Sequence, residues 1–137
     1  MTEQSNSVAN SSVSDRFERL AEYGLVYLAS PYTKYEKGLY AAFREISRIA
    51  AELAKRGISA YSPIAYSHLL AVQGGISPTS HNFWMSYDKP FMRASGALLV
   101  AKMEGWSESK GVQEEILIFR ALEKPIFYLS PESLEIS

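Results

Sequence analysis

With 137 residues, 47% hydrophobic and 21% charged, the chain has the length and composition of one globular domain that buries roughly two-thirds of its unfolded surface. The formal charge of -1, with Lys and Arg dispersed, leaves no basic stripe for nucleic acid, and the absence of cysteine excludes a disulfide framework, a thiol nucleophile and a thiolate metal site. No apolar run approaches the ~18–20 residues of a membrane span and the N-terminus lacks a signal-peptide pattern, so a cytoplasmic protein without membrane contact is expected.

Residues 1–14 are Ser, Asn and Thr with little to bury, and a disordered arm is expected there, followed by a single domain over 15–137. Asp15 to Tyr23 suits a short helix with Phe17, Leu20 and Ala21 inward, broken by Gly24. Leu25–Ala29 is apolar throughout and reads as a strand covered on both faces. Ser30-Pro31-Tyr32-Thr33 is the turn after it, without the spaced glycines of a dinucleotide fingerprint or the Gly-Lys-Ser/Thr of a P-loop. Leu39, Phe43, Ile46, Ala50 and Leu53 recur at helical spacing, and Gly57 caps that helix. Ile58–Ser62 reads as the second strand, ending at Pro63.

Ile64 to Ser80, with Gly74-Gly75 and Pro78, reads as a long connection of the kind that is usually functional or disordered. It carries His68, which is open between a catalytic role and a backbone-bonded one. His81, near a helix start at Thr79 or Ser80, is expected to be structural, and two histidines without a carboxylate cluster make no metal site. Phe83, Tyr87 and Phe91 mark an amphipathic helix that Pro90 should kink or restart. Asp88 is then open between capping the restarted helix and serving as proton donor or ligand binder. Ala97–Ala101 reads as a third strand and Ile126–Leu129 as a fourth. Strands alternating with helices argue for an α/β fold with a parallel sheet of four or five strands, order beginning 2-1-3.

Between those last strands, a helix opens in Trp106–Ile116 and should run to Glu123, ahead of Pro125. Its apolar set is Val112, Ile116, Ile118, Phe119 and Leu122, and Glu115 falls inside it. A carboxylate on a core-facing stripe costs several kcal/mol or takes a raised pKa, while the nearby helix N-terminus favours its anion by ~0.3–1 kcal/mol. Glu114 projects about 100° away around the helix. From this segment alone, a nucleophilic Glu115 and a simple pair of N-terminal carboxylates both remain open.

The order of motifs adds a further indication. Tyr27-Leu28-Ala29-Ser30-Pro31-Tyr32 closes the first strand, Asp88 precedes the third, and Gly111-Val112-Gln113-Glu114-Glu115-Ile116 opens the last helix. Over residues 25–129 this resembles the nucleoside 2-deoxyribosyltransferase superfamily, including the nucleoside 5′-monophosphate N-glycosidases, and within it a small bacterial and phage-type branch. The resemblance implies a flavodoxin-like (Rossmann-like) sheet with helices on both faces. It makes Glu115 the nucleophile at the anomeric carbon, Tyr27 the residue that orients it, and Asp88 the aid to base departure or binding.

In this resemblance Ser109 and Gly111, with Lys110 beside them, take the 5′ end of a nucleoside or nucleotide; Ser30, Tyr32 and His68 are further substrate-binding candidates, although the long loop of His68 is not part of the general pattern. Ser109 matches the serine of the monophosphate hydrolases. The chain departs from the pattern at Ser30-Pro31, where many members have glycine, and in Glu104 and Glu108 near the proposed phosphate pocket. No metal or organic cofactor is implied, and a homodimer or higher homo-oligomer is expected. Two other readings stand beside the N-glycosidase or transferase. One is a non-catalytic nucleotide-binding or sensing domain; the other is a nicotinamide-dinucleotide glycohydrolase.

Overall fold

Five successive apolar residues in Leu25–Ala29, and five more in Ala97–Ala101, leave neither segment a polar side to turn toward water, so both must lie inside. The computed structural model describes residues 16–137, and the arm expected at 1–14 lies outside them. Residues 16–21 are helical (α1). Then follow β1 (Leu25–Ala29), α2 (Leu39–Lys55), β2 (Ser59–Tyr61), α3 (Pro63–Gly74), α4 (His81–Ala94), β3 (Ala97–Ala101), α5 (Lys110–Ala121) and β4 (Ile126–Leu129). The sheet is four-stranded and parallel throughout, in the order β2-β1-β3-β4. The fold is the expected flavodoxin-like, Rossmann-like α/β architecture. The chain end folds back on β4 through an antiparallel bridge between Leu129 and Ile136.

Alternation along the strands divides the core. Val26 and Leu28 of β1, with Leu99 of β3, pack against Ile46, Ile49 and Leu53 of α2 and against Phe17 and Leu20 of α1. Tyr27 and Ala29, with Leu98 and Val100, pack against Met92 of α4 and Val112, Ile116 and Phe119 of α5. Each fully buried side chain of this size contributes roughly 1.5–3 kcal/mol of transfer free energy. The helices α4 and α5 therefore share one face of the sheet, and α1 and α2 share the other.

Three expectations are corrected. Ile64–Ser80 is not one long connection, because Pro63–Gly74 forms α3, with the Ser62 hydroxyl accepting from the Ala65 amide and Gly75 closing the helix at φ 67°. Ile64, Ala65, Leu69, Leu70, Ala71 and Val72 surround that helix with apolar groups, so no polar face betrays its period. Pro90 does not restart a helix. The helix α4 runs continuously through it, and the exposed Ser86, whose carbonyl loses its partner, can be served by water. Finally, α5 ends at Ala121, and Leu122 is an exposed C-cap residue rather than part of the apolar face.

Gly96 joins α4 to β3 and sets how closely β3 approaches β1. Its amide donates to the Leu25 carbonyl at 2.8 Å, and a Cβ there would stand 2.2 Å from the Tyr23 carbonyl oxygen. Backbone cannot rotate away as a side chain can. Gly96→Ala should therefore lose about 1–3 kcal/mol of folding stability, measured by urea denaturation.

Candidate functional site

The first turn after β1, the N-terminal turn of α3, one stripe of α4 and the N-terminal half of α5 enclose a cavity of about 200 Å³. It lies at the carboxyl edge of the sheet, where ligands of open α/β folds bind. No residue of β3 lines it; the chain after β3 does, through Ser109, Lys110, Gly111 and Glu115.

Of the residues singled out in the sequence, Ser30, Tyr32, Asp88, Ser109, Lys110, Gly111 and Glu115 line this cavity together. Tyr27 stands behind the wall, fully buried on the central strand, and its hydroxyl donates to Glu115 Oε2 at 2.5 Å. Glu115 is 5% exposed and Asp88 6% exposed, so two carboxyl groups share one poorly hydrated space. Because α4 is continuous, Asp88 sits in mid-helix. The capping role that competed for it is removed, and its Oδ1 accepts from the Tyr61 hydroxyl at 3.3 Å.

His68 is not in the wall. Its Nδ1 bonds the Tyr32 hydroxyl at 2.7 Å and its ring stacks on Phe43 at 4.3 Å, so it steadies Tyr32 from behind. Ser109 caps α5, its hydroxyl accepting from the Val112 amide at 3.3 Å, and this leaves the Lys110 and Gly111 amides without a protein partner among the described residues. Ser30 Oγ is buried and likewise has no partner among the described residues, and a buried hydroxyl left unpaired costs about 1–3 kcal/mol. Glu104 and Glu108 lie outside the cavity lining.

His81, expected to be structural, lines the cavity, and its Nε2 lies 2.9 Å from Glu114 Oε2. Residues 81, 84, 85 and 88 follow helical spacing, so His81, Trp84, Met85 and Asp88 form one stripe of α4 facing the cavity. That spacing, counted back from Asp88, is the signal in the sequence that locates His81. Trp84 is pinned by its indole N–H donating to the Ser77 carbonyl at 2.9 Å, which fastens the segment before α4 to the same wall.

The electrostatics follow from burial. Loss of solvent pushes the Glu115 carboxyl up to about 8, with Asp88 and Glu114 adding to the rise and the Tyr27 hydroxyl opposing it. Desolvation also raises Asp88, to about 6, against the opposing hydroxyls of Tyr61 and Tyr27. The helix N-terminus that was expected to keep Glu115 anionic is outweighed. At neutral pH the proton of the pair resides on Glu115 and the charge on Asp88. The Tyr27 phenol rises as well, first from its own burial and then from the neighbouring Glu115. Among the described residues no group of three or more His, Cys, Asp or Glu could hold a metal ion, and no helix is long and apolar enough to cross a membrane.

Fold and site together define a parallel α/β domain with a paired-carboxyl cavity at the carboxyl edge of its sheet. Residues 24–131 match the family described as Domain of unknown function (DUF1937), and the chain belongs to that family. No curated protein matches the chain in sequence.

Stability should report the buried proton. In the unfolded chain Glu115 ionises near its ordinary 4.5, whereas in the native protein it does so near 8. Between those values the unfolded state binds fewer protons, so native stability falls as pH rises, and levels off above about 8. Glu115→Gln should remove this loss. The variant should gain on the wild type progressively from pH 4.5 to 8, by up to several kcal/mol, in urea titrations at matched pH.

Proposed function

We propose that the protein cleaves or transfers at the N-glycosidic bond of a (deoxy)nucleoside or nucleoside 5′-monophosphate, with Glu115 as nucleophile. The observation that carries this reading is the 2.5 Å bond from Tyr27 to a buried Glu115 in the cavity that Asp88 also lines. N-glycosidic cleavage passes through an oxocarbenium-like state. A carboxylate fixed beside the anomeric carbon stabilises that state or traps it as a glycosyl ester. The phenol of Tyr27 holds one rotamer of Glu115 and steadies its charge as it develops. Asp88 supplies a proton or hydrogen bond to the departing base. The resemblance to the nucleoside 2-deoxyribosyltransferase superfamily supports the same three roles.

The order of proton affinities shapes the mechanism. Attack needs an ionised Glu115 and departure needs a protonated Asp88, which is the minor arrangement of the pair. Burial raises Glu115 more than Asp88, so this arrangement is the rarer one in the free protein. An approaching cationic sugar draws the proton off Glu115. A base held beside Asp88 favours the proton there. The cavity of about 200 Å³ is smaller than the roughly 300–1,000 Å³ of common ligand sites, so it encloses the sugar end and leaves the remainder at the open mouth. The free Lys110 and Gly111 amides and the unpartnered Ser30 hydroxyl suit an anionic 5′ group. One observation favours a second reading. A Glu115 that rests protonated is a hydrogen-bond donor, as a non-catalytic nucleotide-binding domain would use it.

Chromatography of a nucleoside and nucleotide panel separates the two readings. Base release by the wild type should fall at least ~10³-fold in Glu115→Gln. Its kcat/KM should peak between about pH 6 and 8, and monophosphates should exceed free nucleosides. Binding without base release would establish the non-catalytic reading instead.

We also propose a cytoplasmic homo-oligomer. From Gly57 to Tyr87 the chain has no Asp, Glu, Lys or Arg, yet Tyr66, Leu69, Val72 and Phe83 of this stretch are exposed. A two-fold axis sets the same surface against itself, and a segment without charges meets its copy without like-charge repulsion of its own. The absence of basic residues argues against an anionic lipid surface as its partner. Light scattering at micromolar concentration should give at least a dimer, and Leu69→Glu should yield monomers; a wild-type monomer would refute the idea.

A further inference from the structure

The pair of His81 and Glu114 is left over from the roles given above. The side chain of Glu114 leaves the helix about 100° from that of Glu115. In the structure it reaches across to α4 and holds an imidazole at the edge of the cavity, with both side chains about one-third exposed. A carboxylate only accepts, so the shared hydrogen belongs to His81 Nε2. That fixes the tautomer of the neutral ring and leaves the lone pair on Nδ1, which has no partner among the described residues. A base nitrogen set free by a carboxylate on the opposite nitrogen is the arrangement by which histidine takes a proton during nucleophilic chemistry.

We propose that His81 is the general base for the second half of the reaction, deprotonating the water that releases the sugar from Glu115, and that Glu114 positions it. This rests on the glycosyl-ester reading above and deepens it, since it makes water the acceptor and the protein a hydrolase. The nucleophile comes from the α5 wall. Both proton-handling groups come from the α4 stripe, Asp88 for the departing base and His81 for the incoming water. The two α4 groups stand two turns apart, about 10 Å along the helix. Asp88 is buried, whereas the partly exposed His81 borders solvent, where water enters.

In the step itself an O–H bond of water breaks and its proton passes to His81 Nδ1. The water oxygen bonds to the anomeric carbon while the bond from that carbon to Glu115 breaks, its electron pair leaving with the carboxylate. The imidazolium, stabilised by Glu114, then returns its proton to solvent.

The test uses the full-length protein with the four common 2′-deoxynucleoside 5′-monophosphates, following base release by rapid quench and intact-protein mass spectrometry. In His81→Ala the first equivalent of base should appear near the wild-type rate. Turnover should then slow at least ~10²-fold while a deoxyribosyl phosphate adduct accumulates on Glu115. Sodium azide, a nucleophile that needs no deprotonation, should restore turnover in that variant. His81→Gln, which keeps more of the packing, and Glu114→Gln should change turnover in the same direction, Glu114→Gln by less. Wild-type turnover in His81→Ala would overturn the proposal and leave Asp88 to activate water. So would a lost first equivalent with no rescue by azide, in a variant whose melting temperature is unchanged. If instead the wild type releases no base from any of the four, and Glu115→Gln behaves identically, the glycosyl-ester reading itself fails and this proposal falls with it.

Discussion

A carboxyl group without water around it needs a partner, and here the partner is the hydroxyl of Tyr27. That bond constrains much of the molecule. Tyr27 is fully buried on the second face of β1, its ring packed at 5.8 Å from Phe119 and 5.7 Å from Tyr61. Its hydroxyl reaches Glu115 from the second face of β1, a central strand paired with the β3 on which α5 packs. Glu115 in turn occupies a position on α5 that packing would give to an apolar side chain, between Val112, Ile116 and Phe119, all of them buried. Stability is sacrificed there to hold a group whose proton is tightly bound yet close to a second acceptor.

The wall facing Glu115 solves a different problem. A single stripe of α4 sets a carboxyl group in a dry interior and an imidazole at the edge, with an indole and a thioether between them. Two titratable groups on one rigid helix thus meet different solvent environments at a fixed separation. The carboxylate of Glu114 ties this helix to α5, so the two walls are joined by a hydrogen bond to His81 as well as by packing around Met92 and Val112. Groups not satisfied within the protein, the Ser30 hydroxyl and the first amides of α5, belong to the same cavity.

Much of this architecture is written plainly in the sequence. The runs Leu25–Ala29 and Ala97–Ala101 allow nothing but interior strands, and the spacing of Ile46, Ala50 and Leu53 allows nothing but a helix. Glu115 is legible because a charge on an apolar helical stripe is an anomaly that needs no coordinates to detect. Other features are hidden for physical reasons. An apolar sequence such as Pro63–Gly74 has no polar face to reveal its period, and Pro90 is tolerated because the carbonyl it frees lies at the surface. The contact of His81 with Glu114 joins residues 33 apart in sequence and exists only once two helices have docked. The order of the two carboxyl pKa values is hidden more deeply. It depends on how much water each loses, and the helix-terminus contribution visible in the sequence is the smaller effect.

The parallel register also governs when the cavity can exist during folding. The central strand pairs Leu25 with Ser59 on one side and Val26 with Ala97 on the other, so its two edges wait for segments 34 and 71 residues downstream. Neither neighbour can be recruited by a local hairpin, and closing such loops costs chain entropy before any contact repays it. The walls of the cavity come from Ser30 just after β1, from Pro63 to Ser67 and Pro78 to Asp88 in the connection between β2 and β3, and from Ser109 to Glu115 in the one between β3 and β4. The cavity is therefore whole only once all three connections have packed on the sheet.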